Sequence, residues 1–285
     1  MLEVGECPDL AYLRSWVGSE EVARDLVTSD LVRKFRATLD LSEGAEEGEG
    51  DAAPRLIHLC LAQPAAPARV LGPDGHPQRG GFLPPVPLPR RMWAGGSFRF
   101  HRDLRIGETV RRVSRINDVV LKEGSSGLLC FVTVEHCLDV DGDLAIEETH
   151  NIVYRGMSKG EGSKRPIQSE VGRHRHRIEP SPVLLFRYSA LTFNGHRIHY
   201  DWRYATEVEG YPGLIVHGPL QATLLFNYAT ELRGSPPTAF AFRSLSPLYD
   251  DKPFLLHADE DGKRLKLWTA ADNGPVAMTA EAEWV

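Results

Sequence analysis

Long apolar runs are missing from this sequence, and so is an excess of basic residues. No uninterrupted hydrophobic stretch approaches the roughly 20 residues that a helix needs to cross a bilayer, so we expect no membrane span. The net charge of −6 in a chain of 285 residues argues against a protein that binds a nucleic-acid backbone. The first residues show no basic segment followed by an apolar core, so we expect no signal peptide and a cytoplasmic location.

Cysteine is scarce as well. The four cysteines are far apart and show no C-x-x-C spacing, which argues against a zinc ribbon or a redox pair. We expect them to be reduced and mostly buried in the core. They are Cys7, Cys60, Cys130 and Cys137.

The pattern of apolar and turn-forming residues predicts two domains, in which helices and strands follow one another in the same order. The chain is long enough for two domains of ordinary size, and residues 158–169 lack any periodicity and are typical of a linker. We therefore place one domain at residues 1–157 and the other at 170–285. Each is predicted to be a helix followed by an antiparallel meander, an α+β unit in which one helix covers one curled sheet. The two units are expected to pair edge to edge.

In the first domain, apolar residues recur at helical spacing over residues 19–39, with a break near Thr28 and with Asp30 as the cap of a second helix. Residues 41–51 are acidic and glycine-rich, which predicts a surface loop. Four segments rich in β-branched, leucine and aromatic residues follow. They are predicted to be strands at 97–100, 109–120, 127–138 and 144–154.

The second domain repeats this order. A helix of about 14 residues is predicted to begin at Pro219 and to end near Gly234, since Leu220, Leu224 and Tyr228 lie at helical spacing. Strands are predicted at 238–245, 253–259, 264–270 and 276–284.

Proline and glycine are dense over residues 63–89, so neither a helix nor a strand ladder is expected there. Loops of this length in compact domains are often lids or ligand-binding segments, and a strap over a sheet face is the alternative. Arg90 and Arg91 follow directly, close to Trp93, and place two cations beside an aromatic ring.

Polar side chains concentrate in residues 186–217. Turn-forming residues are so frequent from Ser189 to His196 that we predict an irregular loop held at both ends by structure. Reactive groups often lie on such loops. The candidate residues of this segment are Arg187, Tyr188, Asn194, His196, Arg197, His199 and His217.

The sequence LTFNGHRIH at 191–199, followed by PGLIVHG at 212–218, resembles the signature of MaoC-like hydratase 2 enzymes of the hot dog fold. That signature reads Ser-Gly-Asp-x-Asn-Pro-Ile-His, then Val-His-Gly and a helix. The sequence GFLPPVPLPRRMWAGG at 81–96 resembles the FAS1-like dehydratase branch, which includes itaconyl-CoA and mesaconyl-C4-CoA hydratases and mitochondrial 3-hydroxyacyl-thioester dehydratases. The resemblance covers nearly the whole chain and implies a double hot dog fold and an acyl-CoA substrate.

The resemblance also implies roles for single residues. His199 takes the position of the acid–base histidine, and Gly218 that of the glycine that opens the helix. A backbone N–H at that helix start would meet the negative charge that develops on the thioester oxygen. The aspartate of the signature falls on Asn194, and a neutral amide cannot accept a proton. We therefore interpret Asn194 as a group that positions water or substrate.

The other candidates are expected to bind substrate or to support the fold. Tyr188, His196 and His217 are expected to line the pocket, and one of Arg90, Arg91, Arg187 and Arg197 is expected to bind a substrate carboxylate. No metal is predicted, because no carboxylate or cysteine lies at a recognisable ligand spacing beside the loop histidines. Asp201 is expected to cap a helix over residues 202–208.

These observations predict an acyl-CoA hydratase that adds water to a branched C5 dicarboxylic enoyl-CoA to give a citramalyl thioester. In this interpretation the second domain supplies the chemistry and the first domain lacks a reactive loop. No cofactor is expected, since coenzyme A is part of the substrate, and a homodimer is plausible because exposed sheet edges can pair. The alternatives are a 3-hydroxyacyl-thioester dehydratase of fatty acid synthesis and a non-catalytic acyl-thioester-binding protein.

Overall fold

The computed structural model describes residues 9–41, 48–124, 127–156 and 167–284. Within these ranges none of the helices is both long enough and apolar enough to cross a membrane. The α-helices are α1 (Leu10–Arg14), α2 (Ser29–Leu39), α3 (Pro182–Leu191) and α4 (Gly218–Arg233). Short 3-10 turns lie at Ile57–Cys60, Ala68–Val70 and Arg197–His199, and a π-helical turn lies at Tyr204–Val208.

In the described part of the chain the strands form one antiparallel sheet of ten strands in the order β1-β3-β4-β5-β2-β7-β10-β9-β8-β6. Their bounds in the N-terminal half are β1 (Glu20–Leu26), β2 (Arg90–Phe100), β3 (Thr109–Gly124), β4 (Gly127–Val140) and β5 (Asp143–Arg155). In the C-terminal half they are β6 (His174–Ile178), β7 (Ala239–Ser244), β8 (Phe254–Asp261), β9 (Arg264–Ala271) and β10 (Val276–Glu283). The α+β class and both predicted meanders are confirmed.

The two halves meet where β2 pairs with β7, with Gly96 opposite Phe242 and Phe98 opposite Phe240. Glycine is needed here for close approach, because a Cβ at Gly95 would lie 2.5 Å from the carbonyl oxygen of Phe242. The predicted edge-to-edge pairing is therefore present. It joins the two expected sheets into a single continuous one.

Each half of the sheet is covered by one longer helix. Nearly every residue in the first three turns of α4 is buried, and the helix packs against β7, β8, β9 and β10. The shorter α2 buries Val32, Phe35 and Leu39 in the same hydrophobic core. Gly234 ends α4 in the left-handed region with φ of 70°, as expected for a glycine after a helix.

The prediction of a helix from residue 19 was wrong for its first part, because residues Glu20–Leu26 form strand β1. This edge strand pairs with β3 and leaves Val22 and Leu26 about half exposed. Pairing with a long neighbouring strand overrides the helical spacing of its apolar residues. Asp30 is also not the cap of α2. Thr28 is the cap, and its side chain accepts a hydrogen bond from the backbone N–H of Leu31 at 3.1 Å.

The proline-rich residues 63–89 contain one 3-10 turn and no strand, as predicted. Val86 is buried in a second hydrophobic cluster together with residues of α1, β3, β4 and β5. Arg79 fixes the segment by donating to the backbone oxygens of Val86, Leu88 and Pro89. We call residues 63–89 the strap, since they cover this side of the N-terminal half.

Most of the predicted linker, residues 158–166, and most of the acidic loop, residues 42–47, lie outside the described residues. The end of the linker is described, and Val276 donates to the carbonyl of Ile167. The domain boundaries at 157 and 170 stay a prediction. Cys60, Cys130 and Cys137 are free thiols, and Cys137 is exposed.

Candidate active site

The irregular loop begins later in the chain than predicted. Helix α3 starts with Ser181 as its cap and extends through Ser189 to Leu191, so only the residues from Thr192 onward form an irregular loop. We call residues 192–200 the reactive loop. Phe193 adopts a left-handed backbone with φ of 49°, and the N–H of Asn194 donates to the carbonyl of Ser189 at 2.9 Å. The loop is thereby turned back onto the end of α3.

His199 is buried in the 3-10 turn of the reactive loop. Its Nδ1 lies 2.7 Å from the carbonyl oxygen of Ile215 and must donate to it, because a carbonyl can only accept. Nε2 is then left as an acceptor. Burial lowers the pKa of His199 to about 4, against the smaller opposing effect of the Ile215 hydrogen bond. At neutral pH His199 is an uncharged imidazole able to accept a proton from water.

His217 stacks on His199 with ring centroids 3.7 Å apart. Its Nε2 is 2.8 Å from the hydroxyl of Ser189, and burial lowers its pKa well below the ordinary value. The ring of Tyr188 packs edge-on against that of His217, and its hydroxyl lies 3.2 Å from that of Thr223. Both side chains are completely buried, so His217 and Tyr188 form a packed layer behind His199. That Tyr188 and His217 line the substrate pocket stays a prediction.

Helix α4 begins directly after His217. Its first residue is Gly218, and no side chain caps the helix. A Cβ at Gly218 would lie 3.4 Å from Cε3 of Trp93, so the first turn faces β2 of the other half. Among the described residues, no group accepts a hydrogen bond from the N–H of Gly218. The positive end of the helix dipole is thus available to an oxygen that gains negative charge, one residue after His217, whose ring stacks on that of His199.

Asn194 has a structural task in the reactive loop. Its side-chain oxygen accepts the backbone N–H of His196 at 3.0 Å, which closes a tight local turn. The NH₂ group of the same amide remains as a possible donor. This geometry is compatible with the positioning role that we assigned to Asn194 and gives it no proton-accepting capacity.

The strap supplies two residues that the sequence analysis missed. Asp74 and His76 lie against the reactive loop, with the ring of His76 centred 4.2 Å from that of His196. One ligand atom from each of Asp74, His76 and His196 lies within 4.8 Å of the others, so these three residues could hold a metal ion. The signal available in the sequence was the Asp-Gly-His triplet in a long loop, but nothing in the sequence indicated that this triplet contacts His196.

The four candidate arginines differ in how far other protein groups already bind their guanidinium groups. Arg197 is engaged by Asp201 at 2.7 Å and by the carbonyl of Pro73, and its guanidinium lies over Tyr204. Arg90 donates to the carbonyl of Glu209 at 2.8 Å and lies over Tyr211. Protein groups already hold part of both guanidinium groups, and the binding of substrate by Arg90 or Arg197 stays a prediction.

The other two candidates for binding a substrate carboxylate are Arg187 and Arg91. Arg187 is exposed on α3. Arg91 is half-buried on β2, and its charge contributes to lowering the pKa of both His76 and His196. Among the described residues no carboxylate pairs with Arg91. Burial raises the pKa of Tyr154, and Arg91, which faces that hydroxyl, opposes the rise. Arg91 is thus the arginine best placed to bind an acidic group near the histidines.

Asp201 caps the turn after the reactive loop as predicted, since its side chain accepts the N–H of Tyr204 at 3.1 Å.

A cavity of about 400 Å³ lies on the outer face of the sheet, where β2 and β7 meet. It is lined by carboxylates that include Glu135, Glu147 and Glu281, and by no residue of the reactive loop. Negative charges of this kind repel the phosphates of coenzyme A. We do not assign the substrate to this cavity.

Two helix-and-sheet units joined in one sheet, with a neutral histidine beside an open helix N-terminus, define a hot dog fold hydro-lyase. The chain belongs to the hydroxyacyl-thioester dehydratase type 2 family, whose model matches residues 55–250. The resemblance noted in the sequence is therefore confirmed.

Comparisons with individual proteins agree with this class. The chain is 43% identical over 271 residues to mesaconyl-C(4)-CoA hydratase from Chloroflexus aurantiacus, covering 94% of this chain and 96% of the relative. A MaoC-like dehydratase from Phytophthora capsici superimposes with a TM-score of 0.73 at 14% identity, covering 98% of both chains. A Mycobacterium tuberculosis protein described as a double hot dog fold gives a TM-score of 0.53 at 13% identity, covering 94% of this chain and 96% of that one. The two structures support the fold alone.

Proposed function

We propose that this enzyme is an acyl-CoA hydratase that adds water to mesaconyl-C4-CoA or itaconyl-CoA and forms a citramalyl-CoA. The observation that carries the proposal is the similarity, over nearly the whole chain, to a relative named as a mesaconyl-C4-CoA hydratase. Such a reaction would belong to itaconate degradation. Coenzyme A is part of the substrate, and the proposal includes no further cofactor.

The geometry of the site supports this chemistry. Nε2 of neutral His199 accepts a proton from water as the water oxygen bonds to the β-carbon of the enoyl thioester. The electron pair of the double bond moves toward the thioester oxygen, and the N–H of Gly218 at the start of α4 stabilises that negative charge. The same proton is returned to the α-carbon, so one molecule of water is added overall.

Arg91 supports a dicarboxylic substrate in particular. It lies beside His76 and His196 and lacks a carboxylate partner among the described residues. A free carboxylate on the acyl group would form a charge-assisted hydrogen bond with this guanidinium. Such a bond contributes about 1.5 to 3 kcal/mol, which corresponds to roughly tenfold to a hundredfold in specificity.

The test is a direct assay of the purified enzyme with itaconyl-CoA, mesaconyl-C4-CoA and crotonyl-CoA. Loss of the enoyl-thioester absorbance gives the rate, and mass spectrometry identifies the hydrated product. We expect kcat/KM for a dicarboxylic thioester to exceed that for crotonyl-CoA by about tenfold or more. A preference for uncharged chains would contradict the proposal.

The second candidate is a 3-hydroxyacyl-thioester dehydratase, which the matching family description favours. The reaction is the reverse elimination on an uncharged chain, and the same histidine and helix start would serve it. A preference for straight uncharged chains in the assay would select this candidate. Absence of turnover with every thioester, combined with measurable binding, would select a non-catalytic binding protein.

The proposal also includes a cytoplasmic location and a possible homodimer. Three free thiols in the described chain are compatible with a reducing compartment. Strands β1 and β6 form the two edges of the sheet and could pair with a second copy. Light scattering of the purified protein would give its oligomeric state, and localisation of a tagged chain would test the compartment.

A further inference from the structure

The Asp74–His76 pair lies in the N-terminal half but contacts the reactive loop of the C-terminal half. The backbone N–H of Arg197 donates to the carbonyl of Asp74 at 2.9 Å. Gly75 between the two residues has a φ of 88°, and a Cβ there would collide with the carbonyl oxygen of Gly195. Only glycine permits this approach. The strap is therefore fixed on the reactive loop through backbone contacts that determine where both side chains lie.

The two side chains form a hydrogen-bonded pair. Nδ1 of His76 lies 3.1 Å from Oδ2 of Asp74, and the backbone N–H of His76 donates to the other carboxylate oxygen at 3.0 Å. Burial opposes ionisation of Asp74, but the hydrogen bonds that it accepts from His76 outweigh this effect and hold the carboxyl pKa below its ordinary value. Nδ1–H of His76 thus donates to a carboxylate, and Nε2 remains as an acceptor.

The pair belongs to a continuous row of imidazoles that leads to His199. The ring of His76 is 4.2 Å from that of His196, which in turn is 5.4 Å from that of His199. The charged groups around His76 are Asp74 and Arg79 of the strap and Arg91 of β2. Burial lowers the pKa of His76, and the hydrogen bond to Asp74 opposes the change. Nε2 of His76, opposite the nitrogen held by Asp74, is left free to accept a hydrogen bond.

His76 and His199 differ in what holds their second nitrogen. The partner of His199 is a neutral carbonyl, whereas that of His76 is a carboxylate. A carboxylate stabilises the imidazolium formed by proton uptake far better than a carbonyl does. The reactive loop itself supplies no such group, because Asn194 occupies the position at which the resembling signature has aspartate.

We propose that Asp74 and His76 form a second catalytic pair, contributed by the strap, which replaces the aspartate missing from the reactive loop. This inference rests on the proposed hydratase function. The attacking water donates one hydrogen bond to Nε2 of His199 and the other to Nε2 of His76. As its oxygen bonds to the β-carbon, one O–H bond breaks and that proton passes to His199, while the remaining O–H stays hydrogen-bonded to Nε2 of His76 and the double-bond electron pair forms the enolate. His199 then returns the proton to the α-carbon and becomes neutral again.

The experiment compares His76→Ala and Asp74→Asn with the wild-type enzyme on its best enoyl-CoA substrate. We expect kcat to fall by about a hundredfold or more for His76→Ala and by about tenfold for Asp74→Asn, with small changes in KM. Added imidazole should restore part of the rate of His76→Ala and none of that of Asp74→Asn. Introducing Asn194→Asp into His76→Ala should also recover activity, because it returns a carboxylate to the loop position.

A matched control exists on the surface of the same half. His101 and Glu147 form a similar pair at 2.8 Å, far from the reactive loop, on an exposed part of the sheet. His101→Ala should leave kcat unchanged. Thermal unfolding of every variant shows whether the strap remains docked. A loss of stability with a raised KM, unaffected by imidazole, would mean that the pair only anchors the strap and would overturn the proposal.

Three other results are decisive. If His76→Ala retains more than about a third of wild-type kcat, the pair takes no part in catalysis and only this inference fails. If wild type is inactive with every enoyl-CoA, the proposed function fails first and takes the inference with it. If EDTA abolishes wild-type activity and Zn²⁺ restores it, Asp74, His76 and His196 act as metal ligands and the catalytic pair is rejected.

Discussion

The two longer helices, one in each half of the molecule, begin in different ways. In the N-terminal half, Thr28 caps α2 with its own hydroxyl. Asp30 adds a negative charge to the first turn and forms an ion pair with Lys34, one turn later. In the C-terminal half, α4 begins at Gly218 with no side-chain cap, directly after the stacked rings of His217 and His199. The first helix start is closed by the protein itself, and the second is left open.

This difference shows how one architecture can serve two purposes. A helix N-terminus whose N–H groups and dipole are already satisfied contributes only stability. An open N-terminus beside a neutral histidine can act on a substrate oxygen.

The largest effect is expected from His199→Ala. Loss of a general acid–base group usually lowers turnover by a factor of about 10² to 10⁴, so we expect kcat to fall by at least about a hundredfold. Steady-state kinetics on the best enoyl-CoA, with circular dichroism as a check of folding, would measure this. The control in the same half is His176→Ala on exposed strand β6, which should retain full activity. A His199→Ala enzyme with more than a tenth of wild-type activity would remove His199 from the mechanism.

A smaller effect is expected from Arg91→Met, which tests whether the N-terminal half selects the substrate. The change should lower kcat/KM for the dicarboxylic thioester by roughly tenfold to a hundredfold, because a charge-assisted bond is lost, and should spare residual activity on crotonyl-CoA. Arg187→Met, on the exposed face of α3, is the matched control and should keep the preference. Loss of the preference in Arg187→Met and not in Arg91→Met would reverse the assignment.

Acid should destabilise both halves together. Burial lowers the pKa of His58 to about 4 and of His136 to about 3 in the N-terminal half, and that of His199 to about 4 in the C-terminal half. Each such histidine takes up its proton more readily in the unfolded chain. The free energy of unfolding is therefore unaffected above about pH 6.5 and falls as pH drops toward 4, by up to about 1.4 kcal/mol per pH unit for each group.

Urea unfolding at pH 7.5, 6 and 5 would measure this slope. His58→Gln and His199→Gln should each make the slope less steep, whereas His176→Gln should not change it, since that side chain is exposed. Equal stability at pH 7.5 and pH 5 in the wild type would show that these histidines are not held uncharged by folding.

The smallest effect is expected from Thr28→Ala at the closed helix start. Loss of the cap should lower the free energy of unfolding by about 1 kcal/mol and leave kcat unchanged. Unfolding and activity measured on the same preparation would test both parts. A fall in kcat without a change in stability would mean that the start of α2 also contributes to the site.

Much of the fold could be predicted from local pattern. Alternating apolar residues and turn chemistry placed the strands β3, β4 and β8 to within a few residues, and Pro219 and Gly234 marked the ends of α4. Strand β1 could not be predicted in this way. Its apolar residues are spaced as in a helix, and its extended form depends on pairing with β3 some 90 residues later in the chain.

The site was predictable only where it is continuous in sequence. His199, His217 and Gly218 lie within one segment, and the spacing of that segment indicated their grouping. Asp74 and His76 come from a loop more than a hundred residues earlier, and only backbone contacts at Gly75 and Arg197 bring them to the histidines. The engagement of Arg90 and Arg197 by neighbouring groups likewise depends on tertiary contacts.

The pairing of β2 with β7 has a consequence for how the site survives in dilute solution. Groups from two separate chains meet with a probability that falls with protein concentration, whereas groups on one chain meet at a fixed effective concentration, in the millimolar range for short flexible connections. Here the strap and the reactive loop belong to the same polypeptide and to the same sheet. Activity per molecule should therefore stay constant on dilution, even if two copies of the chain associate and then separate.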